Sequence, residues 1–326
     1  MVIQTIQELE NSIRKCINNP RKQYILLQNH ATWNQLCSSL DIIGDTDYAL
    51  SSYIKDSGPS DIGMNYIYIY GFLQALILQQ DAIRYCANAL GIVDELGRKY
   101  KGNPTLEMVR QIRNRSSGHP MNCDRDAEGG SYNFISQISM SKWGFTLHSS
   151  RPEKRTTVEE IDLQRLLKEQ TEITTEALII ILDKLTEEDM KHKKAFEGEN
   201  LIDNIPPTLG YYFEKMYAAT YETNPGQKTS AMHLGKVHFD SVMAVVEKIK
   251  IELTKRGLYP AYSSLKNIFD EISYPLAELE KYFSSNSGAV NDKTANIFIF
   301  FIQQQINEEL MVMLKELDEK YKVQGE

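Results

Sequence analysis

The chain has 326 residues, 42% of them hydrophobic and 25% charged, with a formal net charge of −8. That length favours two packed units over one core, and the composition is that of a globular protein rather than a disordered one. The acidic balance excludes a general nucleic-acid coat, which needs many cation–phosphate contacts, but leaves room for a local basic site.

The first thirty residues carry Glu8, Glu10, Arg14, Lys15 and Arg21 and no long apolar core, so no secretory signal is expected. The cysteines Cys16, Cys37, Cys86 and Cys123 are scattered without a close pair. They read as reduced thiols of a cytoplasmic protein rather than a disulfide framework or metal knuckle.

Apolar periodicity predicts amphipathic helices over 3–18 and 21–41, then a shorter one opened by Gly44-Asp45 and running through Ile54. Ser57-Gly58-Pro59-Ser60 breaks the chain, and Ser60 or Asp61 caps a long helix to about Leu90. From Tyr66 to Leu78 that helix is apolar nearly all round, which predicts a path through the centre of a bundle. Gly71 and Gln74 interrupt the run, and it falls short of the ~20 residues of a membrane span, so no membrane partner is expected.

Asn103-Pro104 supplies a cap followed by proline at the first helical position, predicting a helix from Leu106 to about Ser117. Gly118 suits a left-handed C-terminal cap, and Pro120 forbids continuation. Residues 121–130 are polar. The period then changes to two: Tyr132, Phe134, Ser136, Ile138 and Met140 alternate with Asn133, Ile135, Gln137 and Ser139, followed by Trp143, Phe145 and Leu147. This predicts a β-hairpin turning near Ser141-Lys142, with a third short strand around 155–158. Trp143 and Phe145 are candidates either to grip single-stranded RNA or to pack the hairpin on the bundle.

A long helix is predicted from Asp162 to about Phe196, and Gly198 to Pro207 is the best domain boundary. Further helices are expected near 208–222, 228–256, 260–283 and 290–323. The pattern predicts a mainly all-α protein: a helical bundle over residues 1–200 with a β-hairpin insertion at about 131–158, and a C-terminal helical region over 201–326.

The chemistry concentrates in Arg113-Asn114-Arg115-Ser116-Ser117-Gly118-His119. Arginine keeps its charge and presents a planar fork of donors to phosphate, and histidine is the side chain whose ordinary titration lies nearest neutrality. Together they are a minimal kit for cleaving a phosphodiester without metal. At about 100° per residue, Leu106, Val109 and Arg113 share one stripe within roughly 60°, whereas Arg115 points about 160° away from Arg113. Arg113 on the packing face needs a partner, because an unpaired buried charge costs several kcal/mol. It is either in a structural ion pair or lining a cleft that faces an anion. Asn114 can position a phosphate oxygen or the histidine. Between Arg98 and Asp126 seven cations, namely Arg98, Lys99, Lys101, Arg110, Arg113, Arg115 and Arg125, outnumber the three anions Glu107, Asp124 and Asp126. Arg110 and Arg115 of this cluster, together with Arg84 on the central helix, are the candidate RNA contacts that go with a phosphodiester-cleaving reading. On the central helix Gln80 and Asp81 are candidate supports for the motif, or ordinary packed and solvated residues.

Arg113-Asn114 followed by His119, late in an α-bundle, resembles the signature of the HEPN family, the "higher eukaryotes and prokaryotes nucleotide-binding" domains. In that motif an arginine, often followed by Asn, Asp or His, precedes a histidine by four to six residues. The resemblance implies a HEPN-like bundle and a homodimeric, metal-independent endoribonuclease with Arg113 and His119 catalytic and Asn114 positioning. Such an enzyme cleaves by 2′-hydroxyl attack to leave a 2′,3′-cyclic phosphate. It also implies a toxin or an effector of phage or stress defence, RNA as partner, and an inhibitory or activating protein. The family branch paired with small nucleotidyltransferases carries a tyrosine two residues after the histidine; Met121 stands there, which places the chain outside that branch.

Two alternatives stay open: a non-catalytic HEPN-like module for dimerisation and nucleotide, RNA or protein binding, and a structural coincidence in which Arg113 sits in an ion pair. His192, His233 and His238 lack zinc-site spacing and read as surface or packing residues. No metal site, phosphate loop or nucleophile elbow is found, and no cofactor is expected.

Overall fold

The computed structural model describes residues 4–121, 123–126, 129–151, 154–284 and 290–322, apart from the side chains of residues 98, 99, 124–126 and 129. The protein is mainly helical. It divides into two compact units, one of Met1–Asn19 and Ile25–Glu187, the other of Pro20–Tyr24 and Glu188–Glu326.

In the first unit α1 (Ile6–Ile17) opens with a capping box between Thr5 and Glu8 and buries Ile6, Leu9, Ile13 and Ile17. After α2 (Pro20–Leu27), α3 runs unbroken over His30–Lys55 with Asn29 as its cap. The break expected near Gly44 is absent. A glycine inside a helix costs only about 1 kcal/mol, and the burial of Leu36, Leu40, Ile43 and Leu50 along one face outweighs it. The predicted 21–41 helix is instead cut at residues 28–29, just ahead of the Asn29 cap.

α4 (Ile62–Leu90) is capped by Asp61 and ends at Gly91, whose φ of 72° is the left-handed conformation glycine favours. It is not enclosed all round: Ile69, Phe72, Leu73 and Leu76 are buried, but Ile67, Tyr70, Leu78 and Tyr85 form an exposed stripe. α5 (Val93–Tyr100) is kinked at Gly97, and α6 (Pro104–Arg113) starts on its Asn103 cap as the sequence predicts.

The β insertion is larger than a hairpin. β1 (Cys123–Asp126), β2 (Gly129–Ile135), β3 (Gly144–Ser150) and β4 (Thr157–Asp162) form an antiparallel sheet in sequence order. β2 stops at Ile135, and residues Gln137–Ser139 make a 3-10 turn where strand alternation was expected to continue. The faces are fixed by burial. Ile135, Phe145, Leu147 and Ile161 pack against α4 and against Leu163 and Leu166 of α7 (Leu163–Lys194), whereas Tyr132, Phe134 and Val158 face out. Phe145 is thus core, and Trp143 stands edge-on to Tyr53 with centroids 5.4 Å apart, so both serve packing rather than an open RNA grip.

The division between units falls within α7, upstream of the loop expected to form it. The end of α7 packs with the second unit: His192 Nε2 lies 2.8 Å from the Tyr321 hydroxyl and Phe196 packs against that unit's core, in which Leu201 is fully buried, while the Leu201 and Ile202 amides donate to the Asp318 carboxylate at 2.7 and 3.0 Å. That unit comprises α8 (Leu209–Tyr221), α9 (Pro225–Lys255), α10 (Ser263–Phe283), α11 (Asp292–Gln304) and α12 (Met311–Tyr321) around a core that includes Phe213, Phe239 and Ile302. Among the described residues no helix is long and apolar enough to cross a membrane.

Candidate active site

α6 ends in an unusual way. Residues Asn114–Gly118 continue it as a π-helical turn, closed by the His119 amide donating to the Asn114 carbonyl at 2.7 Å. The Ser116 and Ser117 hydroxyls donate back to the carbonyls of Ile112 and Arg113 at 2.7 and 3.2 Å. They satisfy acceptors at the helix end, where the regular ladder runs out.

Arg113 faces α4, as its stripe with Leu106 and Val109 predicts. Arg113 is half-buried, its Nε and Nη2 donating to Gln74 Oε1 of α4 at 3.2 and 3.0 Å, and its Nη1 to Asn114 Oδ1 at 3.1 Å. Among the described residues no carboxylate pairs with it. Arg115 does not point freely outward; its Nη2 lies 2.8 Å from Glu159 Oε2 of β4.

Gly118 is not in the left-handed conformation its sequence position suggests. Its role is steric. A Cβ there would stand 2.8 Å from Arg113 Nη1 and 3.2 Å from Asn114 Oδ1, so the missing side chain lets the guanidinium and amide fold over the turn.

His119 follows directly, is exposed, and finds no side-chain hydrogen-bond partner among the described residues. Its backbone is held from both sides. On one lies the π turn; on the other the Pro120 carbonyl accepts from the backbone N and Nδ2 of Asn133 at 2.7 and 3.1 Å. Ser149 Oγ donates to Asn133 Oδ1 at 2.6 Å, tying this clasp into β3. The sheet therefore positions the residue after the histidine.

The remaining candidates separate from the motif. Asp81 Oδ1 accepts from Arg110 Nη2 at 2.6 Å and from Arg84 Nη2 at 3.3 Å and reaches neither Arg113 nor His119. Gln80 is buried and donates to Gln170 Oε1 and to the Leu106 carbonyl, as a core residue does. The side chains of Arg98, Lys99, Asp124, Arg125 and Asp126, counted in the basic cluster, lie outside those described. Comparison with family models, curated proteins and solved structures finds no match to this chain.

Sequence reasoning missed Gln74 and Asn133. The signal for Gln74 was its intrusion into an apolar run; for Asn133, an amide on the same strand face as Ile135. Among the described residues no three His, Cys, Asp or Glu side chains converge as a metal set. What the arrangement can do is grip one anionic oxygen group with the free edge of a preorganised guanidinium while an exposed imidazole exchanges protons nearby.

Proposed function

We propose that the protein is a metal-independent endoribonuclease of HEPN type, working in the cytoplasm as a homodimer. The observation that supports it most is the state of Arg113: amide oxygens hold its guanidinium, no described carboxylate neutralises it, and it lies beside the turn that presents His119. A structural ion pair would place an acid where Gln74 stands. Neutral acceptors orient the cation and leave its charge for the substrate.

In the proposed reaction a base takes the ribose 2′-hydroxyl proton and the 2′ oxygen attacks the adjacent phosphorus. The 2′-O–P bond forms, the P–O5′ bond breaks, and an acid protonates the departing 5′ oxygen, leaving a 2′,3′-cyclic phosphate and a 5′-hydroxyl. Arg113 stabilises the charge on the equatorial oxygens. His119 supplies one proton-transfer group, and the same histidine of a second copy supplies the other. The exposed stripe of Ile67, Tyr70, Leu78 and Tyr85 shares its helix face with Gln74, which suits a second copy docking across the motif. A role as toxin or defence effector, and an inhibitory or activating protein partner, rest on the resemblance alone.

Among the described residues no third group orients the His119 imidazole, which favours a second reading, a non-catalytic binding module, since an effective base is normally oriented by such a group. One experiment separates the two. Wild type, Arg113→Ala and His119→Ala are incubated with mixed RNA in EDTA and their oligomeric state is followed by light scattering. Cleavage to cyclic-phosphate ends, lost in both variants while the dimer persists, supports the enzyme; intact RNA at high protein concentration supports the binding module.

A further inference from the structure

We propose that a cavity between α4, α5 and α6, separate from the Arg113–His119 pair, binds a small monocarboxylate with a hydrocarbon body, the carboxylate at the rim and the body inside. The cavity measures about 550 Å³, within the range of small-molecule sites. Its assignment does not rest on the ribonuclease reading.

A backbone bend makes one wall. α5 is kinked at Gly97, whose φ of 52° and ψ of −153° lie in a region that residues with a Cβ rarely enter. A Cβ at Gly97 would meet nothing within 4 Å. Glycine is therefore present for the bend and not for want of space, and the open side of the bend lines the cavity. Backbone states of this kind recur at ligand clamps.

The floor selects hydrocarbon. Ala87, Leu96 and Leu106 are buried around it, and Val93 and Tyr85, 41% and 46% exposed, carry the apolar lining out to the mouth. The polar groups behind the floor are engaged or enclosed. Tyr100 donates its hydroxyl to the Gln80 carbonyl at 3.1 Å, and the Gln80 amide nitrogen donates to Gln170 Oε1 and to the Leu106 carbonyl at 2.8 and 3.3 Å. Gln80 Oε1 is shut away from the surface. A ring edge rich in donors and acceptors would lose its water here without a replacement bond, whereas a hydrocarbon body loses nothing.

The rim selects a single negative charge. Arg84 and Arg110 share one carboxylate oxygen of Asp81, at 3.3 and 2.6 Å, and each keeps unused N–H donors. Lys101 and Glu107 stand at the same mouth. Among the described side chains, three cations against these two acids leave one positive charge. That excess matches a monoanion, and the planar edge of a guanidinium matches a carboxylate in shape. A bare small anion satisfies only the rim, and a neutral hydrocarbon satisfies only the floor.

Fatty acids and aromatic acids share this chemistry, and the probes separate them. The test uses the full chain in isothermal titration with decanoate, 2-naphthoate, decanol and acetate. At least one of the two acids should bind one-to-one and about tenfold tighter than decanol or acetate. Arg84→Ala removes a mostly exposed rim cation and should weaken that acid about tenfold while leaving decanol unchanged. Val93→Trp plugs the mouth from an exposed position and should weaken the acid about tenfold with helical content unchanged. Binding of decanoate alone assigns a chain-shaped body, and of 2-naphthoate alone a flat one. No binding by either acid, decanol binding as tightly as the acids, or binding indifferent to Val93→Trp overturns the proposal. None of these readouts involves RNA cleavage, so they stand whether or not Arg113 and His119 are catalytic.

Discussion

The Arg113 guanidinium donates two hydrogen bonds to one neutral oxygen, Gln74 Oε1, across the interface of α6 and α4. The pair fixes the fork's direction without cancelling its charge. Gln74 is thus a positioning residue. In Gln74→Ala the RNA-cleavage kcat should fall about tenfold, equivalent to about 1.4 kcal/mol of transition-state stabilisation, with little change in KM. Gln74→Glu should lose more than Gln74→Ala, because the new carboxylate competes with the phosphate. Equal activity in all three proteins would remove Gln74 from the site.

Gly118→Ala separates stability from activity. The added Cβ would meet Arg113 Nη1 at 2.8 Å, and the end of a long side chain can swing aside cheaply. The thermal midpoint should therefore move by no more than a few degrees, a cost of about 1 kcal/mol or less, while cleavage falls by an order of magnitude or more as the guanidinium leaves its place. A variant that cleaves normally would show that the turn does not set the Arg113 position, and one that unfolds would show that movement of the guanidinium does not relieve the added Cβ.

Leu78 is 41% exposed on the same helix face as Gln74. If the proposed homodimer docks through this face, Leu78→Glu should leave a monomer in light scattering, with unchanged helical content and lost cleavage, because a carboxylate in an apolar seam is left without a partner. A dimer that survives the substitution would place the subunit contact elsewhere.

In the second unit, His192 Nε2 lies 2.8 Å from the Tyr321 hydroxyl. Burial, then the neighbouring cations Arg21 and Arg256, push its titration below the ordinary histidine value, with Asp189 opposing. The unfolded chain therefore binds this proton at higher pH than the folded one does. The contribution to stability is complete above the unfolded value of about 6.5 and is lost as pH falls from there through the folded value. Urea midpoints measured between about pH 7 and pH 5 should fall in the wild type and fall less in His192→Gln.

Much of the first unit's architecture was legible where local signals agree with burial. Asp61 caps α4 and the helix ends at Leu90 as expected, Asn103-Pro104 starts α6, and the change of period announces the sheet. Gly44 misled because its intrinsic cost is small beside the apolar face that carries α3 through it. The sheet's inward face was hidden because Tyr132 and Phe134 look like core residues, yet pairing places them outside with Phe134 stacked on His148. Gln74 and Asn133 stood out locally as amides among apolar residues, but their roles were not legible, because those depend on partners distant in sequence or on another element. The π turn belongs to the same class, since helical propensity does not distinguish an i→i+5 bond from the usual one.

That turn also makes chain length between Asn114 and His119 a quantity the protein cannot freely vary. The amide of His119 reaches back five residues, and the Asn133 clasp holds the next residue from the far side. Deleting any one of residues 115–117 would leave only an ordinary helical closure and turn the imidazole about 100° around the axis. Inserting one would force the extra residue out as a blister between two anchored ends. Tolerance to side-chain change and tolerance to length change therefore part company here: Ser117 can lose its hydroxyl and leave the count intact, but the count itself is a dimension of the site.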